Sequence, residues 1–436
     1  MSSISLRRLA QEGTYAIAGQ ALGAVISLIG IRVITGMATE AAYGRANLLL
    51  GLLGLGMNIC VAPTTNSQLR FYPDFKKKGL EFAFLRVVRR RVLIAVLIIG
   101  LVLAAGLPFA QPIIGKAASL VEIAILALMA ASLAFKSIEI NRLNSSRRQL
   151  AQSLWNGLEP GTILGFTAAA LYYSSTAASL LLGQLLGGAI MLLFFSLSQK
   201  QRDVHESEFT VKQKQDLNRE LFAYGAPFIV IAILSWIGNL GDRYVLGSCL
   251  GTAEVGIYAA SFGLASRPIL LMSGVVNQVL RPVLFEATSI NDEKIRRKAT
   301  VWWFLVVSAC GFVAASLFAL FGDWVADILL AKSFRPHAGA IMAWVAFGYA
   351  FFTLGQAVEN QLMARYKSGR LILPQLVGGL TNLGLALYLI PRGGIIGAAQ
   401  ANMGSFVVQF LATLYMWRMS VGRLGELGPQ EPKESS

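Results

Sequence analysis

One arginine stands in the middle of an apolar stretch: Arg267, in AASFGLASRPILLMSG. A guanidinium at mid-bilayer depth costs about 2.5–3.5 kcal/mol on insertion scales, so such residues face a bundle interior or a wet cavity. Pro268 follows it, which frees the carbonyl of Leu264 and allows a helix to bend there. Three readings are open for Arg267: an anion-binding group facing a cavity, a side chain buried against polar neighbours, or one snorkelling along a tilted helix. Arg32, Arg45 and Arg243 lie at the ends of neighbouring apolar stretches. Arginine presents a planar fork of donors that meets oxyanions with paired, charge-assisted hydrogen bonds. The competing use is local pairing, Arg243 with Asp242 or Glu254 and Arg32 with Glu40. Asn47, Asn58, Asn239, Asn277 and Gln278 fall in the same four stretches. Amides supply donors and acceptors together, for ligand hydroxyls or for bonds between helices.

Groups suited to bond-making chemistry are scarce. Asp323 and Asp327 form a close carboxylate pair at a helix end and read as solvated or structural, not as an acid and a base. Cys60, Cys249 and Cys310 are far apart with no CxxC spacing, and His205 and His337 are isolated. The pattern predicts no metal site and no enzyme.

The elements that must carry these residues are membrane-crossing helices. The chain has 436 residues, 55% hydrophobic and only 14% charged. The apolar residues fall into runs of about 18–25, the length that crosses a hydrocarbon core, and a segment in lipid must satisfy its backbone internally. The fold class is therefore an all-α polytopic membrane protein. Twelve spans are expected, at 13–34, 42–63, 92–111, 118–136, 157–174, 176–197, 221–241, 255–280, 301–321, 338–357, 371–390 and 394–416. Lys and Arg number thirty in the even connections and the two termini, against seven in the odd connections and helix ends. The positive-inside rule then puts both termini in the cytoplasm. Most of the net charge of +15 follows from this topology and from contact with anionic lipid. The connections are too short for a nucleic-acid-binding face. The cluster RVVRRR, Arg86 to Arg91, reads most simply as a topology anchor, with recruitment of a phosphoglycan head as the lesser reading.

The chain also repeats itself. GIRVITG and GDRYVLG share a Gly-x-Arg-x-x-x-Gly frame, with Arg32 and Arg243 offset by 211 residues. Gly44 matches Gly256 at 212, Gln68 matches Gln278 at 210, and NRLNSSRR matches NQLMARYK at 219. Six spans in each copy make the repeat parallel, about an axis along the membrane normal. The expected organisation is a lobe over 1–198, a linker over 199–220, a second lobe over 221–417 and a cytoplasmic tail over 418–436 whose end, ELGPQEPKESS, is disordered. GLLGLG (51–56) and GQLLGG (183–188) are expected to be close-packing surfaces.

DRYVLGSCLGTAEVGIYAASFGLA resembles the hallmark region of the polysaccharide transporter family, oligosaccharide flippases of the multidrug/oligosaccharidyl-lipid/polysaccharide superfamily. ILLAKSFRPHAGAIMAWVAFGYAF, NQLMARYKSGR and Pro391, Gly393, Gly394, Gly397, Ala398 and Ala399 extend the resemblance along the chain. It implies two six-helix lobes in the bacterial inner membrane, passing a polyprenyl-pyrophosphate-linked oligosaccharide to the outer leaflet by alternating access. Polysaccharide polymerase or glycosyltransferase machinery would be partners. It further implies a central cavity lined by the first, second, seventh and eighth helices, where the four arginines would form a cationic wall. No cofactor is expected. A coupling ion, H+ or Na+, has no recognisable site, since Glu12, Glu122, Glu139 and Glu159 all fall near span ends. The alternatives are a multidrug cation antiporter, which needs carboxylates at membrane depth, and a membrane glycan polymerase or ligase.

Overall fold

The computed structural model describes residues 6–146, 148–198, 209–290, 292–364 and 371–422, and their regular elements are all helical. In chain order these are α1 (Leu6–Met37), α2 (Glu40–Gly56), a π-helical turn (Met57–Val61), α3 (Ala62–Lys77) and α4 (Glu81–Gly106). After a 3-10 turn come α5 (Gln111–Ile114), α6 (Leu120–Ser145), α7 (Gln149–Tyr173) and α8 (Ala177–Ser198). The second half holds α9 (Val211–Leu250), α10 (Thr252–Ser289), α11 (Glu293–Leu329), α12 (Ala338–Ala364) and α13 (Ile372–Gly422). Part of the expected linker, 199–208, and the tail from 423 lie outside the described residues.

Among the described residues, ten helices are long and apolar enough to cross a membrane. α2, the π turn and α3 form one of these crossings, Glu40–Lys77. α13 is two arms joined at Gly394, whose φ of 60° favours glycine. The arms fold back on each other: Asn382 Nδ2 donates to Ser405 Oγ at 3.4 Å, and a Cβ on Gly397 would lie 2.4 Å from the Leu389 carbonyl oxygen. α7 carries Gln152, Asn156 and Glu159 in its first half, yet packs between α1 and α8. With α7 and the second arm of α13, the twelve expected crossings are all present as helices.

Several helices outrun the expected spans because they continue past the bilayer face. α9 is 40 residues long, opened by a capping box in which Thr210 and Gln213 satisfy each other's backbone N–H groups. The polar stretch QKQDLNRE therefore belongs to this helix and not to the linker read over 199–220. α10 runs through Pro268 without a break in its helix.

Equivalent helices pack alike. α1 lies on α7 as α9 lies on α13, and α4 on α6 as α11 on α12. The halves cross most closely where α2 meets α10. A Cβ on Gly44 would lie 1.8 Å from the Thr252 carbonyl oxygen, and one on Gly256 would lie 2.0 Å from that of Glu40. Glu40 and Thr252 stand 212 residues apart, as Gly44 and Gly256 do. Each side thus makes to the other the contact it receives, as two-fold related surfaces must. Elsewhere, Gly183 and Gly187 press α8 onto the α7 backbone, as a close-packing surface should.

Hereafter the end of the bundle that carries the lysine- and arginine-rich connections is the basic end, and the opposite end is the far end.

Candidate functional site

Each of the four arginines singled out in the sequence is engaged by partners of its own. Arg32, near the far end of α1, donates Nη1 to the Leu330 carbonyl at 2.6 Å, and Thr35 one turn on accepts the Ala331 N–H at 3.3 Å. These bonds tie α1 to the chain leaving α11. The anticipated pair with Glu40 does not form, because the guanidinium is drawn across to the other half.

Arg45 is a structural clamp. Nε and Nη2 donate to the two carboxylate oxygens of Glu122, each at 2.8 Å. Nη1 reaches the carbonyls of Ile114 and Lys116, and Nη2 that of Ala117. Its five donors are spent on the turn between α5 and α6, which leaves none for a ligand. Glu122 also closes the Ser119 capping box of α6.

Arg243 pairs with neither candidate. Asp242 is fully buried and accepts from the Tyr258 hydroxyl at 2.5 Å and from the Arg243 backbone N–H at 2.9 Å. The guanidinium lies over the Phe262 ring, 4.7 Å from its centroid, a cation–π contact. Its Nε is buried without a hydrogen-bond partner. Glu254 takes no part. Arg267 is exposed and sends Nη1 to the Ser27 carbonyl at 3.1 Å, bridging α10 to α1 across the seam between the halves.

The amides are mostly consumed within the bundle. Asn47 and Asn239 donate to carbonyls one turn back, Tyr43 and Ser235. Asn277 accepts from Asn360 at 3.1 Å. Gln278 is exposed on α10. Asp327 is ion-paired with Arg335 at 2.9 Å, so the Asp323/Asp327 pair is structural at that member.

Cations converge elsewhere. A cavity of about 630 Å³ opens at the basic end, between α3 and α4 of the first half and the foot of α9 in the second. Arg86, Arg90 and Arg91 on α4 and Lys214 on α9 line it, with Asn218 and Thr64. Its described lining residues include no carboxylate. Arg86 and Arg90 are four apart and share a helix face, while Arg89 points away to Glu139 at 3.3 Å. Arg91 fixes the cleft's geometry: Nη1 donates to Asn218 Oδ1 at 3.0 Å and to the Asn218 carbonyl at 3.1 Å. Its Nε is buried with no hydrogen-bond partner. The cleft gathers cationic side chains against apolar walls from Ile94, Ala95 and Ile98.

Arg86, Arg90 and Arg91 belong to RVVRRR, for which the sequence offers a topology anchor as the first reading and recruitment of a phosphoglycan head only as the lesser one. The available signal was the helical spacing of Arg86 and Arg90. Two further groups were passed over. Lys136 and Glu159 pair at 2.5 Å between α6 and α7, and Glu359 on α12 accepts from Gln375 at 3.3 Å.

Residues 85–298 match the family described as polysaccharide biosynthesis protein. No curated protein matches the chain. Solved structures share its fold at low identity. An inward-facing multidrug resistance MATE family transporter of the MOP superfamily superposes with a TM-score of 0.70 at 13% identity, covering 94% of this chain and 96% of that one. A MOP superfamily transporter from Pyrococcus furiosus, described as having a binding pocket of reverse polarity, gives 0.61 at 14%, covering 97% and 96%. The lipid II flippase MurJ, in an inward closed conformation, gives 0.60 at 16%, covering 96% and 94%. The polysaccharide biosynthesis family thus matches just under half of the chain, and these solved structures share its fold along nearly the whole length.

Proposed function

We propose that this chain is a flippase that carries a polyprenyl-pyrophosphate-linked oligosaccharide from the cytoplasmic to the outer leaflet. The observation that carries this reading is the cleft of Arg86, Arg90, Arg91 and Lys214, whose described lining holds no carboxylate. A pyrophosphate presents several anionic oxygens, and guanidiniums bind such groups with paired donors. The basic end is the cytoplasmic one by the positive-inside rule, so the cleft lies where a lipid-linked precursor made in the cytoplasm first meets the protein. The two halves act as rocking lobes about their reciprocal crossing. The lipid tail stays in an apolar environment throughout, and only the head needs shelter. The family match and the likeness to MurJ support this reading.

A multidrug cation antiporter of the same fold would need acidic groups where its cargo binds. The cleft offers the opposite sign, and Asp242 is buried on Tyr258. A polymerase or ligase would need an acid and a base on an open face, and Asp327 there is engaged by Arg335.

The test is a leaflet-exchange assay in proteoliposomes with a fluorophore-tagged polyprenyl-pyrophosphoryl oligosaccharide, quenched from outside. The native protein should accelerate exchange. Arg86→Glu/Arg90→Glu should slow it roughly 10- to 150-fold, the loss of about 1.5–3 kcal/mol expected for a charged hydrogen bond. Ethidium efflux with no movement of the tagged lipid would replace this reading with the antiporter.

A further inference from the structure

The basic cleft continues. Cys60, on its wall, is also on the wall of a second cavity of about 430 Å³. Leu52, Leu55 and Ile59 form one side of this groove and Ile99, Val102 and Leu103 the other, and no charged or amide side chain lines it. Both cavities lie along α4. From Arg90 in the cleft to Gly106 in the groove, the helix rises sixteen residues, about 24 Å at 1.5 Å each. The π-helical turn, Met57–Val61, sits where the two cavities meet and contributes Ile59 and Cys60. Single π turns of this kind are frequent at functional sites. The groove faces the bilayer: Val102 is 62% exposed.

An anionic mouth-filler with an apolar chain running away from it is the shape of a lipid with a phosphate head. The paired cavities match that shape in charge, polarity and continuity. We propose that the groove seats the proximal isoprenoid chain of the lipid whose phosphates occupy the basic cleft, so that α4 recognises head and tail together. This rests on the reading of the cleft as a phosphate site. The gain is not hydrophobic, because the bilayer is as apolar as the groove. It comes from shape: fixed walls receive a methyl-branched chain differently from a straight one, and a held chain keeps the head in the cleft. Selectivity for the carrier lipid over ordinary phospholipid follows.

Two substitutions fill the groove without touching the cleft. A Cβ on Gly106 meets nothing within 4 Å, so Gly106→Phe has room. Val102→Trp enlarges a side chain that is already exposed. The full-length protein is placed in nanodiscs of uncharged phosphatidylcholine. The probes are a long-chain polyprenyl phosphate with a diazirine on its second isoprene unit, geranyl phosphate, and a diazirine-bearing dioleoyl phosphatidic acid. In the native protein, polyprenyl phosphate should cross-link to Leu52–Cys60 and Ile99–Ala110 and outcompete phosphatidic acid at least tenfold. Either groove variant should lower that yield at least fivefold and leave geranyl phosphate binding unchanged. Unchanged yield in both variants overturns the proposal while leaving the cleft reading intact, provided geranyl phosphate still binds and Arg90→Glu removes it. Equal competition by phosphatidic acid also overturns it, since the groove then holds ordinary phospholipid. Failure of geranyl phosphate and polyprenyl phosphate alike removes both the cleft reading and this one.

Discussion

Gly44→Ala is expected to force the halves apart at the far end. The added Cβ would sit 1.8 Å from the Thr252 carbonyl oxygen. Carbon–oxygen contacts settle at about 3.3–3.6 Å, so the crossing must part by about 1.5 Å. Neither neighbour can swing aside, because the obstructing atom belongs to the α10 backbone. Overpacking of this kind costs about 1–3 kcal/mol, and every 1.4 kcal/mol is roughly a factor of ten. The far-end-closed arrangement should therefore lose roughly 5- to 150-fold in population against arrangements open at that end. Gly256→Ala meets the Glu40 carbonyl oxygen at 2.0 Å and should act with nearly equal strength. The double substitution should not add, since one separation relieves both clashes. The assay is double electron–electron resonance between spin labels at Ser174→Cys and Arg392→Cys, both exposed at the far end, with Cys60, Cys249 and Cys310 changed to Ser. Native protein should give a short-distance peak, and each single variant a new longer one. An unchanged distribution, or clearly unequal effects of the two alanines, would refute the reciprocal crossing as the seal.

The Arg45–Glu122 clamp predicts a stability effect without a transport effect of its own. With side chains only 12% and 8% exposed, Arg45→Ala should destabilise by about 3–5 kcal/mol by leaving a buried carboxylate unpaired. Arg45→Ala/Glu122→Ala should recover much of that loss in a thermal-unfolding measurement in detergent, and no recovery would argue that the carbonyl contacts carry the clamp. Arg267→Ala should abolish glycan export in cells at normal membrane abundance, and Arg267→Lys should restore part of it. Full export by well-expressed Arg267→Ala would take the α1–α10 bridge out of the mechanism.

The crossings were legible because each carries its own apolarity. So was the hairpin of α13, announced by Pro391 and Gly394 between two apolar runs. Gly44 and Gly256 mark the repeat in the sequence but not the crossing they make, although a backbone contact leaves its mark as a glycine on both copies of a repeat. Helix ends beyond the bilayer were read short, because Val211 to Glu220 is polar and hydropathy falls silent there. Side-chain destinations were not legible. Arg45 finds Glu122 77 residues away, and Arg267 finds Ser27 240 residues away, distances over which spacing says nothing. The cleft was legible only as the lesser of two readings, for another reason. Arginines that orient a helix in a membrane and arginines that hold an anion have the same composition at the same depth, and only the foot of α9 standing opposite them distinguishes the second use.

α9 joins two places treated separately so far. Asn218 and Lys214 stand at its start, and Asp242, Arg243 and Tyr244 near its end, with Tyr244 donating its hydroxyl to the Leu48 carbonyl at 2.8 Å. Forty residues of helix, with Pro227 inside it, span about 60 Å along their contour. If such a helix pivots near one tip, a tilt of about 5° carries the other through about 5 Å. On the proposed function, cargo settling among the guanidiniums on one side of the membrane has a mechanical lever on the latch at the other, and the two faces need no further messenger to sense each other.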